Sequence, residues 1–160
     1  MISTVDVVEF EIGNEFYAMD IQLAQEIVEM VPITPLPKTP EYISGVINLR
    51  GEMTTIITID NILGIERKSE DTNKKIIILV PESANGSNVG IIVDSVYSVI
   101  QVPEKDIEHL EGGISKEAGQ YIKGIIKTDQ ESLENIDDNN KKGLIIWIDI
   151  EKIIKELIAQ

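Results

Sequence analysis

The chain opens with apolar and polar positions alternating at a period of two. Val8, Phe10 and Ile12 fall on one face and Glu9 and Glu11 on the other, so residues 5–12 read as a half-buried strand. Gly13-Asn14-Glu15 supplies a turn, and Phe16 to Met19 begins the returning strand. Asp20 is placed to cap a single helical turn over residues 21–25, after which residues 26–31 extend again. Thr39-Pro40 predicts a short helix through Tyr42. Strands then follow at 44–49 and 53–59, joined at Arg50-Gly51, and Asp60 to Gly64 reads as a capped helical turn stopped by glycine.

Residues 66–75 form a charged linker. Continuous apolar runs at 76–80 and 89–93 predict buried strands around a loop at 81–88. Asn85-Gly86-Ser87 in that loop matches a glycosylation sequon, but it reads as a turn. A further strand at 96–102 stops at Pro103, and residues 104–119 look like an irregular connection. The last strands fall at 121–127 and 144–150, with a polar loop at 128–143 between them. Ile150, Ile153, Ile154, Leu157 and Ile158 then share one helical face, with Asp149 as the cap. Short strands without long intervening helices disfavour a parallel βαβ arrangement and favour small barrels or a sandwich.

The two halves echo each other. Tyr42-Ile43-Ser44-Gly45-Val46-Ile47 matches Tyr121-Ile122-Lys123-Gly124-Ile125-Ile126, and Ile57-Thr58-Ile59-Asp60 matches Ile146-Trp147-Ile148-Asp149. Gly45 to Asp60 is 15 residues and Gly124 to Asp149 is 25; the loop at 128–143 accommodates the difference of 10. Two similar lobes are the preferred explanation, with an Arg-Gly turn in the first alone.

Composition narrows the function. The 160 residues are 42% hydrophobic but only 4% aromatic, so the interior must be built mainly from Ile, Val and Leu, which suit pleated strands. A formal net charge of −14 repels nucleic acid and anionic lipid alike. With no cysteine, disulfides and thiolate chemistry are excluded. The start of the chain lacks the pattern of a secretory leader, and no uncharged apolar run is long enough for a membrane span. A soluble cytoplasmic protein is expected.

Little in the sequence points to catalysis. His109 is the single histidine, which rules out a histidine-based triad or a multi-histidine metal site within one chain, and it reads as a solvated surface residue. Asp137, Asp138, Asn139 and Asn140 have the composition of calcium ligands, but Lys141 falls where an oxygen ligand belongs. Glycine-rich phosphate-cradling signatures do not occur. No cofactor and no catalytic residue are assigned; a small β-barrel enzyme with buried carboxylates is the rival from another class. Trp147 reads as a packing residue. Arg50 differs in its context, a cation presented on a stiff turn in an acidic chain, as suits an interface residue.

The segment Pro35-x-Pro37-x-x-Pro40-x-Tyr42-Ile43-x-Gly45-Val46-Ile47-Asn48-Leu49-Arg50-Gly51 closely resembles the signature of the CheW family of chemotaxis coupling proteins. So does Asp20-Ile21-x-x-Ala24-Gln25-Glu26-Ile27, and Gly90 to Ile100 looks like the family's second strong motif. The resemblance extends over nearly the whole chain. It implies a mainly β domain over 1–160, with two interlocked five-stranded SH3-like barrels, short helices and a C-terminal helix. The approximate lobes are 13–75, and 1–12 plus 76–160. It also implies a non-enzymatic adaptor joining the cytoplasmic tips of transmembrane chemoreceptors to the regulatory domain of the histidine kinase CheA, in the cytoplasm at receptor arrays. Receptor contact then falls to Asn48, Leu49, Arg50 and Gly51, with Ile21, Ala24 and Glu26 nearby. The chain departs from the family pattern at Thr55, where proline is frequent, at Thr58, where Asp or Asn is common, and at Ala24, smaller than the usual Val. A module of a larger protein, such as the regulatory end of CheA or the coupling half of a CheV-type protein, is the close alternative.

Overall fold

Isoleucine and valine fill the interior from strands that bury both of their faces. The computed structural model describes residues 3–65, 73–109, 119–127 and 143–158. Most of the charged linker, the middle of the 104–119 connection and nearly all of the 128–143 loop, with Asp137 to Asn140, lie outside them.

The chain runs through β1 (Thr4–Ile12), β2 (Glu15–Asp20), β3 (Ala24–Glu29), β4 (Ile43–Leu49) and β5 (Glu52–Ile57) to the short helix α1 (Asp60–Leu63). It continues through β6 (Lys75–Leu79), β7 (Val89–Val93), β8 (Ser95–Pro103), β9 (Ile107–Glu108), β10 (Ile122–Lys127) and β11 (Leu144–Ile148), and finishes in α2 (Ile150–Ile158). One sheet has the order β8-β1-β2-β11-β10-β9 and the other β3-β6-β7-β5-β4. The fold is therefore mainly β with a C-terminal helix, as expected.

Neither ladder closes into a ring among the described residues, yet both sheets bend back on themselves. The outer strands β8 and β9 of the first sheet are consecutive, separated by the single 3-10 turn Glu104–Asp106. In the second, the chain leaving β3 returns to the free edge of β4, where Thr34 and Val46 exchange two main-chain hydrogen bonds of 2.9 Å. Counting β8 and β9 as one bent strand gives five strands per lobe.

Two glycines permit this closure. A Cβ on Gly45 would stand 2.2 Å from the Thr34 carbonyl oxygen, and one on Gly124 would stand 2.8 Å from Ile107 Cγ2 and 3.0 Å from the Glu108 carbonyl oxygen. Both follow an irregularity in their hairpins, after Ile43 and after Ile122. The Tyr42 and Tyr121 carbonyls accept the amides of Thr58 and Asp149, each at 2.8 Å. The echo between the two halves is thus a shared backbone design.

Sheet membership crosses between the halves. β2 sits with β1 in the six-stranded sheet, and β6 and β7 sit with β3 to β5, where the lobe limits at residues 13 and 75 would set them apart. Parallel pairing of β2 with β11 and of β5 with β7 joins strands far apart in sequence, which local pattern does not reveal. The shared core between the sheets gathers Phe10, Met19, Ile57, Ile77, Ile91 and α2 residues Ile150, Ile153 and Ile154. Each sheet also closes over a smaller cluster of its own, one around Ala18, Ile126, Ile145 and Trp147, the other around Ile47, Ile56, Ile76 and Ile78. Burying an aliphatic side chain of this size contributes about 1.5–3 kcal/mol. Strand β1 is consequently buried on both faces from Val7 to Phe10, including Glu9, not half-buried.

Three local expectations change. Asp20 makes no capping bond; the turn after it is a 3-10 turn of three residues, Ile21–Leu23. Thr39-Pro40 starts no helix: the Thr39 hydroxyl donates to the Leu36 carbonyl, and the Pro40 carbonyl accepts the Ile43 amide in a turn. Strand β9 is a two-residue pairing inside the segment read as irregular. Asp149 does cap α2, its Oδ1 accepting the Lys152 amide at 3.0 Å. At α1, Asp60 is the first helical residue, and Gly64 ends the helix at φ 71°.

Candidate partner-binding site

Strands β4 and β5 meet at a two-residue connection in which Arg50 (φ 52°) and Gly51 (φ 86°) both take positive φ. This is the primed turn whose twist matches a hairpin. Glycine adopts it freely and arginine does not, so the turn needs support. Asn48 supplies it: its Oδ1 accepts the Gly51 amide at 2.8 Å. Leu49 anchors the base by packing on the cluster around Ile47 and Ile56.

The turn holds Arg50 against the far edge of its own sheet. Strands β3 and β4 are the two outer strands, and Arg50 at the end of β4 forms a two-pronged ion pair with Glu26 of β3. Nη1 donates to Glu26 Oε2 at 3.1 Å and Nη2 to Oε1. The hydrogen bond from Arg50, and then its charge, hold the Glu26 carboxyl below its ordinary value. Fork-to-fork pairing fixes the plane of the guanidinium as well as its position. The arginine side chain remains 65% exposed while Glu26 is 28% exposed. A cation is thus immobilised yet left facing solvent.

Beside the pair lies a cleft of about 280 Å³ whose walls include Gln25, Glu52, Thr54, Ile78 and Asn88. Two exposed apolar side chains lie nearby: Ile27 follows Glu26 on β3 and points to the other face of that strand, and Met53 of β5 stands opposite Asn48. A second, more apolar groove of about 430 Å³ runs between β4, β5, β7 and the end of α2, lined by Tyr42, Ile43, Ile57, Val89, Leu157 and Ile158.

Of the residues singled out in the sequence, Asn48, Leu49, Arg50, Gly51 and Glu26 form one constellation. Ile21 and Ala24 are partly buried against the shared core, at the crossing into β3, and relate to the turn through that strand. His109 is exposed, its Nδ1 3.2 Å from the Lys123 carbonyl oxygen. The sequence reading missed a second constellation. Trp147 Nε1 donates to Asp20 Oδ1 at 2.7 Å, and Lys123 Nζ donates to Asp20 Oδ2 at 2.9 Å. The signal for it was Trp147 itself, since a buried indole N–H needs an acceptor.

Paired strand-built lobes with a fixed, exposed cation beside a cleft define a binding module. Residues 6–157 match the family described as the CheW-like domain. The chain is 34% identical to the chemotaxis protein CheW of Thermotoga maritima over 97% of its own length and 91% of that protein's. To the CheW of Bacillus subtilis it is 32% identical, with 81% of each chain covered. The crystal structure of the scaffolding protein TtCheW from Thermoanaerobacter tengcongensis superposes with a TM-score of 0.73 at 32% identity, covering 92% of this chain and 90% of that one.

The chain belongs to the CheW family. It is a non-enzymatic scaffolding adaptor of chemotaxis, and the rival reading as a small β-barrel enzyme falls away. No helix among the described residues is long and apolar enough to cross a membrane.

Proposed function

We propose that this adaptor joins the regulatory domain of a CheA-type histidine kinase to the cytoplasmic tips of chemoreceptors, working in the cytoplasm at receptor arrays. The receptor side is the constellation around Arg50, reached by Asn48, Leu49, Gly51 and Glu26, with Ile21 and Ala24 setting the strand beneath. The observation that carries this reading is the geometry of Arg50, held flat by Glu26 while most of its surface stays open. Holding a side chain in its bound orientation lowers the entropy lost on association, and arginine is enriched among residues that dominate interfaces. An adaptor of this kind transmits a signal through its differential affinity for two states of the assembly.

The test compares Arg50→Glu with the exchanged pair Glu26→Arg/Arg50→Glu in pull-downs with a receptor cytoplasmic fragment and with the kinase regulatory domain. Arg50→Glu is expected to weaken receptor binding about tenfold or more, the scale of an interface anchor. Kinase-domain binding and the far-UV spectrum should be retained. The exchanged pair restores the ion pair but moves the cation to β3, so receptor binding should stay weak. Full recovery in the exchanged pair would mean that the ion pair serves the fold alone.

A further inference from the structure

We infer that Asp20 is a positioning residue for the Arg50 site: its carboxylate, gripped by Lys123 and Trp147, fixes where the chain crosses between the sheets and so sets Glu26 against Arg50. Asp20 is the last residue of β2 and stands opposite Val7 of β1. Its parallel neighbour β11 pairs with β2 only as far as Ala18, so no ladder on that side holds the exit. The side chain takes over: it accepts from the Trp147 indole at 2.7 Å and the Lys123 ammonium at 2.9 Å, and that ammonium lies 4.4 Å from the centre of the indole ring. With Asp20 14% exposed and Trp147 7%, the carboxylate and the indole are largely shielded from water, while the Lys123 side chain, 34% exposed, reaches in from the surface. Hydrogen bonds to an ionised acceptor in such a place are stronger than at an open surface.

The next six residues carry the consequence. The 3-10 turn Ile21–Leu23 leads to β3, and the Leu23 carbonyl accepts the Val80 amide at 2.9 Å from the other sheet. Pairing of β3 with β6 is then interrupted between Ala24 and Glu26, so Gln25 is an irregularity in the ladder. A slip of one residue at such a point turns Glu26 to the opposite face of the sheet. The anchor upstream of the irregularity therefore selects the face that meets Arg50. The reverse crossing, from β7 to β8, also begins on an aspartate: Asp94 Oδ2 accepts the Gly13 amide at 2.8 Å. Both crossings start from a bound carboxylate, but the one at Asp20 is held by side chains and leads into the site.

The experiment uses the full chain with Asp20→Ala, Asp20→Asn and Lys123→Met. Trp147 is the single tryptophan, so its emission reports the grip on Asp20 directly. The guanidinium Nη–H resonance of Arg50, from the groups that donate to Glu26, is assigned with an Arg50→Lys sample and reports the pair without any partner present. Asp20→Ala should shift the Trp147 emission to the red and move the Arg50 resonance toward its position in Glu26→Gln. Amide exchange over residues 21–26 should rise about tenfold. Asp20→Asn keeps an acceptor for the indole and should fall between wild type and Asp20→Ala. Lys127→Met, which removes the exposed pair of Lys127 with Glu108 on the same hairpin, should leave all three signals unchanged.

An altered Trp147 emission with the Arg50 resonance and the exchange of residues 21–26 as in wild type would overturn the inference. Should Asp20→Ala fail to fold, Asp20→Asn and Lys123→Met decide it by the same signals. Only the relevance to receptor binding rests on the proposed function. A moved Arg50 resonance with unimpaired receptor binding would sink that proposal and leave this one standing.

Discussion

The Tyr42 hydroxyl donates to the Leu157 carbonyl oxygen at 2.9 Å, joining the entry of β4 to the last turn of α2 across 115 positions. Carbonyls of a final helical turn have no partner within the helix, so the tyrosine satisfies an acceptor that would otherwise need water. Tyr121, its counterpart in the other hairpin, donates to Glu156 on the same helix. Both hairpins therefore hold α2, one by its backbone and one by a side chain.

Tyr42→Phe keeps the ring and deletes this bond. The expected loss is about 1 kcal/mol, read as a lower urea midpoint with an unchanged slope. Amides in the last turn of α2 should exchange faster while those of β1 do not.

The glycines separate by environment. Gly45→Ala puts a methyl group into the Thr34 carbonyl at a φ of 145°, so it should cost about 3 kcal/mol or more and loosen the return of the chain onto β4. Gly51→Ala meets nothing within 4 Å and carries only the penalty of its positive φ, about 1–2 kcal/mol. Paired urea titrations of the two variants test the ranking.

Glu26 gives the acid limb a defined sign. Its folded carboxyl lies below its ordinary 4.5, chiefly through the hydrogen bond from Arg50 and also through that residue's charge. The stabilisation it adds is complete above the unfolded value and disappears as pH falls through the folded one. The stability difference between wild type and Glu26→Gln should therefore be largest near neutrality and shrink on acidification from about pH 5. A difference that grows toward low pH would contradict the assignment.

At the alkaline end the sign reverses. Burial and then the charge of Glu15 push the Tyr17 hydroxyl up to about 12; burial and then a hydrogen bond to Glu11 do the same for Tyr97. The folded state favours both in the neutral form, so their contribution is full below pH 10 and is lost as pH rises through 12. Absorbance at the tyrosinate band should show these two ionising together with unfolding, and Tyr97→Phe should flatten part of that loss.

Much of this architecture was legible in the sequence because its signals are local. The Arg50-Gly51 turn, the Ile-spaced face of α2 with Asp149 before it, and the apolar runs of β6 and β7 all lie within a few residues of their causes. The echo at Gly45 and Gly124 was legible as a repeat, and its reason, space for the returning strand, emerged only from the packing. Parallel pairing, the two-residue β9 and the burial of both faces of β1 depend on partners far along the chain, which periodicity does not report. Arg50 stood out as a cation on a stiff turn, but Glu26 came from a resemblance, because a separation of 24 positions hides their contact. Asp20 read as a helix cap for the same reason: the stronger donors, Lys123 and Trp147, stand more than 100 positions away.

The exchange of strands between sheets constrains how the chain can be made. β1 and β2 wait for β8, β10 and β11 to complete their sheet, while β3 to β5 wait for β6 and β7. A nascent chain emerging from the ribosome can therefore gather all strands of one sheet by the end of β7 but cannot complete the other until β11 has emerged. Isoleucine-rich segments stay uncovered until α2 has been synthesised. Splitting the protein between β5 and β6 should yield fragments that are insoluble apart and assemble only when both are present.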